Sequence, residues 1–301
     1  MTDGRQGGRA GSVATLDGRA WTAHGDPAAH GARKVVHMVK DVQMVPAFFG
    51  PQERRLFGVR HLPAEGVRAA LLMCPPLLHE QMRSYRFFSQ VASQLAGAGI
   101  ACLRFDYYGT GDSEGDDGQF RPEATTQDLT LAAAELQRIA PDVPLIVMGA
   151  RASALFAWRD AAALGASALW LWQPVVDGER YVQTLVARDN DERASNHRYP
   201  LLKGKAPAMP DDLMGFRLSP GAREALASLT LEGPGPGLPL SVVDTADGEG
   251  RAITADAHLT LPATLSAWTN EIDLDGLIPL RDARDALEGL LARLAKGGAR
   301  G

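Results

Sequence analysis

Cysteine is scarce in this chain. Only Cys74 and Cys102 occur among 301 residues, each in an apolar run without metal-ligand spacing. A disulfide framework and a zinc site therefore do not organise the fold, and both residues read as buried thiols acting as small hydrophobes. That usage fits a reducing cytoplasm. No stretch approaches the roughly 20 apolar residues of a membrane-spanning helix. No basic excess is present either; the net charge is -5, which gives no footprint for nucleic acid, and no acidic block marks a disordered tail. The start, residues 1–34, lacks the apolar core of a signal peptide and is rich in Gly, Ala and Arg. It reads as a disordered extension or a start placed upstream of the true one. Asp3, Asp17 and Asp26 dilute the basic pattern that a transit peptide would need.

What is present is ordinary globular composition, 45% hydrophobic and 22% charged, with strands and helices alternating along most of the chain. Val42 to Phe49 and Arg55 to His61 read as a hairpin around Gly50-Pro51-Gln52-Glu53. Ala69 to Cys74, Ile100 to Phe105, Pro144 to Met148, Ala168 to Trp172 and Leu238 to Val243 are short apolar runs, as expected of strands covered on both faces. Between them, Ser84 to Ala96, Pro122 to Ala140 and Ala152 to Ala163 keep helical spacing. This alternation predicts βαβ units and a parallel sheet. It breaks from about residue 175 to 237. Glu179 to Arg188 and Ser219 to Leu229 look helical there, around a polar stretch punctuated by prolines. That segment is too long for a plain connection and reads as an insertion over the C-terminal edge of the sheet. A weak strand is expected within Asp256 to Thr264, then a terminal helix over Leu280 to Lys296. The organisation expected is thus an extension over 1–34 and one domain over 35–301.

The segment Leu145-Ile-Val-Met-Gly-Ala-Arg-Ala-Ser-Ala154 has the form of a nucleophile elbow: an apolar strand, a turn of small residues, then a helix. It resembles the Gly-x-Ser-x-Gly elbow of α/β-hydrolases, but Arg151 stands where the serine would be. A guanidinium is always protonated and cannot attack a carbonyl. The stretch Arg104-Phe-Asp-Tyr-Tyr-Gly-Thr-Gly-Asp-Ser-Glu-Gly115 resembles the turn after the fourth strand of that fold. There Gly109 and Gly111 supply the positive φ angles of a sharp reversal. Phe48-Phe-Gly-Pro, Leu56-Phe-Gly-Val, Met73-Cys-Pro-Pro-Leu-Leu-His-Glu80 and Trp172-Gln-Pro-Val-Val-Asp-Gly178 narrow the likeness. Together these segments are similar to bacterial exosortase-associated hydrolase-like proteins of the serine aminopeptidase branch, a group that also tends to carry Arg at the elbow. The resemblance implies an α/β-hydrolase fold: a mostly parallel sheet of about eight strands, helices on both faces, and a small helical lid.

In such a fold the oxyanion hole would use the backbone N–H of Ala152 and one in the Leu77-Leu78-His79 stretch. With the helix start and Arg151, these groups would make a seat for a carboxylate, phosphate or sulfate. Alternatively Arg151 pairs internally, with Glu80 or Asp244 foremost among the carboxylates Glu80, Asp106, Asp112, Asp177 and Asp244 expected near the same sheet edge. Asp244 takes the position of a triad acid, with Asp177 as the other candidate. Only His258 follows Asp244, where a triad His must lie. His79 is better placed to line a pocket, as general acid/base, as substrate contact, or in a structural hydrogen bond. Ser153 would point along its helix and serve close packing or edge a ligand. Tyr107 and Tyr108 flank the turn, and one of them, with Tyr108 the candidate, would face the pocket. Cys74 reads as packed, as do Trp170 and Trp172. No metal or cofactor is expected. The reading that follows is a hydrolase-fold protein without a serine nucleophile, binding a small acyl- or ester-type ligand with an anionic group. The alternative is an ester, thioester or amide hydrolase or acyltransferase that uses His79, Glu80 or Asp244 as base in a non-serine mechanism.

Overall fold

The computed structural model describes residues 42–195, 201, 204, 210–265 and 280–297. The expected extension over 1–34 lies outside the described residues, as does part of the expected insertion. In chain order the elements begin with β1 (Val42–Phe49), β2 (Leu56–Pro63), β3 (Ala69–Cys74), α1 (Leu78–Gly97) and β4 (Ile100–Phe105). Then come α2 (Thr125–Ile139), β5 (Leu145–Ala150), α3 (Ser153–Asp160), β6 (Ala168–Trp172) and α4 (Gly178–Ala194). The chain continues with a small hairpin of β7 (Asp212–Leu213) and β8 (Phe216–Arg217), then α5 (Pro220–Ala227). Last are β9 (Leu240–Thr245), β10 (Ala257–Leu261) and α6 (Arg284–Gly297).

Eight strands form one sheet in the order β1-β2-β4-β3-β5-β6-β9-β10. Within it β2 pairs antiparallel on both sides, and every other pairing is parallel. The eight-stranded, mostly parallel sheet expected from the sequence is therefore what the chain forms. Period-two alternation divides its side chains between two cores. From β3, Ala70, Leu72 and Cys74 join the core that also takes buried residues of α2 and α3. Ala69, Leu71 and Met73 join the core under α1 and α6. Helices thus cover both faces. Cys74 and Cys102 fall on opposite faces, both buried and free. Trp170 and Trp172 are core residues, with Trp172 edge-on to Phe87 at 5.7 Å between ring centres.

Two helices differ from expectation in ways that bear on the site. α1 starts six residues earlier than the apolar stripe indicates, so His79 and Glu80 belong to its first turn. Leu77 is extended at its N-cap, and Glu80 sits where a carboxylate suits the helix dipole. α4 continues past Arg188 to Ala194, held by the i,i+4 pairs Arg188–Glu192 and Arg193–Asp189. Asp189 also accepts from the Met214 N–H, which ties the hairpin to this helix. The start of α4 lies close against the end of α5, where a Cβ on Gly178 would sit 2.0 Å from the Leu226 carbonyl oxygen.

Candidate functional site

The parallel strands end on one edge, and the C-terminal ends of β5, β6 and β9 meet there. Such an edge is where ligands bind in open α/β sheets. At the end of β5 the chain turns sharply into α3 with Arg151 at φ +52°. A non-glycine residue in the left-handed region is strained, and it persists only where its surroundings hold it. Three backbone bonds hold this one. The Arg151 N–H donates to the Trp172 carbonyl (3.0 Å), and its own carbonyl accepts from Ala154 (3.0 Å) and Val175 (3.2 Å). Gly149 lets α3 lie close on β5, since a Cβ there would meet Ala154 Cα at 2.7 Å and Ala157 Cβ at 2.8 Å. The elbow geometry is therefore present, with arginine at its apex.

The Arg151 side chain is 18% exposed and pairs internally. Its Nε donates to Glu80 Oε1 (3.1 Å) and one terminal nitrogen donates to the Gln173 carbonyl (2.9 Å). The guanidinium thus reaches from the first turn of α1 to the end of β6. Glu80 is fully buried, and its second oxygen accepts from the Tyr181 hydroxyl of α4 (3.1 Å). Three elements are joined through one carboxylate. Burial alone would lower the Arg151 pKa, but the charge of Glu80, with Tyr181 and Asp244, outweighs it and raises it. Burial and then the Glu80 charge push the Tyr181 phenol well above its ordinary range, so it remains a donor.

Above the elbow lies a cavity of about 290 Å³. That is near the lower end of small-molecule sites, roughly 300–1,000 Å³. Its walls include His79, Glu80, Arg151, Asp177, Tyr181 and Asp244. Five residues singled out from sequence (His79, Glu80, Arg151, Asp177 and Asp244) thus converge on one space. Asp177 caps α4, its Oδ1 accepting from the Arg180 N–H (3.0 Å). Asp244 is buried, and its two oxygens accept from the N–H groups of Thr245 (2.8 Å) and Gly250 (2.9 Å). Burial raises its pKa, partly offset by those two N–H groups and by Arg151 and Arg251. His79 is 3% exposed, and among the described residues neither ring nitrogen has a hydrogen-bond partner. Burial, then the charges of Arg188, Arg151 and Arg83, lower its pKa to about 4, so the ring is neutral at pH 7.

The other expected site residues lie elsewhere. Ser153 is fully buried beneath the elbow, donating to the Pro75 carbonyl and accepting from the Tyr107 hydroxyl at 3.0 Å. It packs rather than faces the cavity. Tyr108 turns away as well. Its ring lies under the Arg54 guanidinium (4.5 Å) and its N–H donates to Asp128 (3.1 Å). Ala152 and Leu77 are buried, and neither is part of the cavity wall. His258 is exposed on the edge strand β10, opposite Val242. Sequence reasoning missed Tyr181, Gln173 and Arg188. Tyr181 and Leu185 share one helical face and read as a packing stripe; nothing local signals that the hydroxyl meets a carboxylate 101 residues away.

Residues 75–207 match the family model of serine aminopeptidase, S33. No curated protein sequence matches the chain. Among solved structures the chain is similar to Est1E from Butyrivibrio proteoclasticus with ferulic acid bound, at 16% identity and a TM-score of 0.57, covering 83% of this chain and 99% of that one. It is also similar to a soluble variant of monoglyceride lipase from Saccharomyces cerevisiae in complex with a substrate analogue, at 13% identity and a TM-score of 0.56, covering 87% and 97%. A hypothetical protein from Pseudomonas aeruginosa aligns at 15% identity and a TM-score of 0.54, covering 84% and 94%. Sheet order, elbow and these likenesses agree: the chain has the α/β-hydrolase fold.

Proposed function

We propose that this chain is a hydrolase-fold protein that binds a small acyl- or ester-type ligand with an anionic group in the elbow cavity, without a serine nucleophile. The observation that carries the reading is Arg151 at the strained apex, held by Glu80 and the Gln173 carbonyl. Of the other two triad positions, the acid is filled by Asp244, while among the described residues no buried histidine follows it. Both Asp244 oxygens are engaged by backbone N–H groups, and His258 stands exposed on an edge strand. A serine without a positioned base is a weak nucleophile, so no other hydroxyl takes over by proximity alone. The α4 and α5 segment serves as the lid over the cavity, and the Arg-bearing elbow groups the chain with the exosortase-associated branch in a cytoplasmic setting. Est1E with ferulic acid bound and the lipase in complex with a substrate analogue, both similar in fold, support a small-molecule ligand for this chain.

The test pairs two measurements on the full chain. A fluorophosphonate probe is expected to leave every serine unlabelled. Short carboxylates at saturating concentration are expected to raise the melting temperature, since about 2.7 kcal/mol is gained at one hundred times Kd. A serine adduct overturns the non-serine reading, and no stabilisation by any carboxylate, phosphate or acyl ester overturns the ligand reading. One observation favours the enzymatic alternative: His79 is a neutral imidazole in the cavity wall with no hydrogen-bond partner among the described residues, the form a general base requires. Turnover of p-nitrophenyl butyrate that is lost in His79→Gln would select it.

A further inference from the structure

The cavity contains a polar corner distinct from the elbow apex. Arg151 does not supply an uncompensated cation, because its charge is met by the fully buried Glu80. Most acidic groups in the wall are likewise committed. Glu80 serves Arg151 and Tyr181, Asp244 accepts two backbone N–H groups, Asp177 caps α4, and Glu249 pairs with Arg180 at 3.3 Å. The part of the wall made by the first turn of α1 and by α4 is different. Arg188 is 13% exposed and, among the described residues, engages only Glu192, through Nε at 3.2 Å. His79 lines the same wall with two buried ring nitrogens that have no partner among the described residues. Arg188 is the strongest of the charges acting on that ring.

Burying an imidazole with both nitrogens unmet is unfavourable unless something else completes them. An oxyanion would do so. It would accept from a His79 N–H and from the terminal nitrogens of Arg188, and it would sit at the N-terminal end of a 20-residue helix, where partial positive charge accumulates. Leu185 and Val175 give the same cavity an apolar side for the remainder of the ligand.

We propose that the His79–Arg188 corner, and not Arg151, is the seat of the ligand's oxyanion, a carboxylate or a phosphate. This rests on the reading of the cavity as an anionic-ligand site and relocates the charge recognition within it. The assignment divides the roles: Arg151 and Glu80 shape the cavity floor, and His79 with Arg188 select for charge.

The experiment titrates the full chain with butyrate and, separately, with inorganic phosphate, following the His79 ring resonances by NMR and the affinity by calorimetry. Seven histidines are present, and His79→Gln assigns the signal. The expected result is a saturable shift of the His79 ring in wild type, with butyrate marking a carboxylate site and phosphate a phosphate site. Arg188→Gln is expected to weaken binding at least about tenfold, with Arg188→Lys retaining part of it. If a probe binds, the His79 ring does not respond and Arg188→Gln binds as wild type, the assignment is overturned while the cavity reading stands. If neither probe binds wild type, the assignment is overturned, and the cavity reading falls with it when acyl esters also fail to raise the melting temperature. The wild-type NMR readout needs no variant to fold.

Discussion

At the residue scale, one carboxylate holds the site together. Glu80 is fully buried, faces a guanidinium on one oxygen and a phenol on the other, and links α1, the elbow and α4. Removing one partner of a buried pair leaves the other charge without compensation, which costs about 3–5 kcal/mol. Because Arg151 keeps partial contact with water, Glu80→Leu is expected at the lower end of that range. Glu80→Gln, which preserves shape and the Tyr181 contact, is expected to lose less. Urea midpoints at an unchanged m-value measure both. His79 makes a pH prediction at the same scale. Its folded pKa is about 4, below the ordinary 6.5. The unfolded chain therefore binds the extra proton first as pH falls. The stability tied to the neutral ring is complete above pH 6.5 and is lost as pH drops toward 4. His61, also lowered to about 4 by burial and Arg104, acts in the same direction. Wild type is expected to lose up to about 3 kcal/mol more than His79→Gln between pH 7 and pH 4, read from denaturation at the two pH values.

Elements show how much of this was legible beforehand. The strands were, because apolar runs such as Ala69 to Cys74 have no amphipathic ambiguity once Gly, Pro and helical runs separate them. The elbow was legible from Gly149 and the small residues around Arg151, but the sequence left Glu80 and Asp244 as equal candidates to pair with that arginine, and packing decides for Glu80. The start of α1 was not legible. Its first turn is stabilised by tertiary partners, with His79 and Glu80 buried against the elbow, and helical periodicity does not register polar residues buried for that reason. Ser153 takes the packing role that its place in the first helical turn allows, whereas Tyr108, expected at the cavity, lies under the Arg54 guanidinium instead. The helix α4 depends on its N-cap in a way that local chemistry does reveal. Asp177→Ala removes the bond to the Arg180 N–H and is expected to cost about 1 kcal/mol. Thermal denaturation, with Asp177→Ser as the variant that retains a cap, tests it.

For the whole molecule, the question is whether a hydroxyl placed at the elbow apex would find the groups it needs to react. The strained φ at Arg151, the close approach allowed by Gly149 and the buried Asp244 at the end of β9 are all in place. Arg151→Ser would therefore put a hydroxyl where the fold presents one for attack. A hydroxyl at its ordinary pKa still needs a base within hydrogen-bond reach. After Asp244 the sequence holds a single histidine, His258, and β10 carries it at the sheet edge with its side chain exposed. His79, in the first turn of α1, lines the same cavity under the charge of Arg188, and among the described residues no hydrogen bond joins it to Asp244. The substitution also leaves Glu80 buried with only Tyr181 to meet it. The expected outcome is a folded but less stable protein that neither reacts with fluorophosphonate nor hydrolyses p-nitrophenyl butyrate above the wild-type background. Appearance of a serine adduct at position 151 would mean that a base reaches the elbow after all, and would count against the proposed non-serine reading of the site.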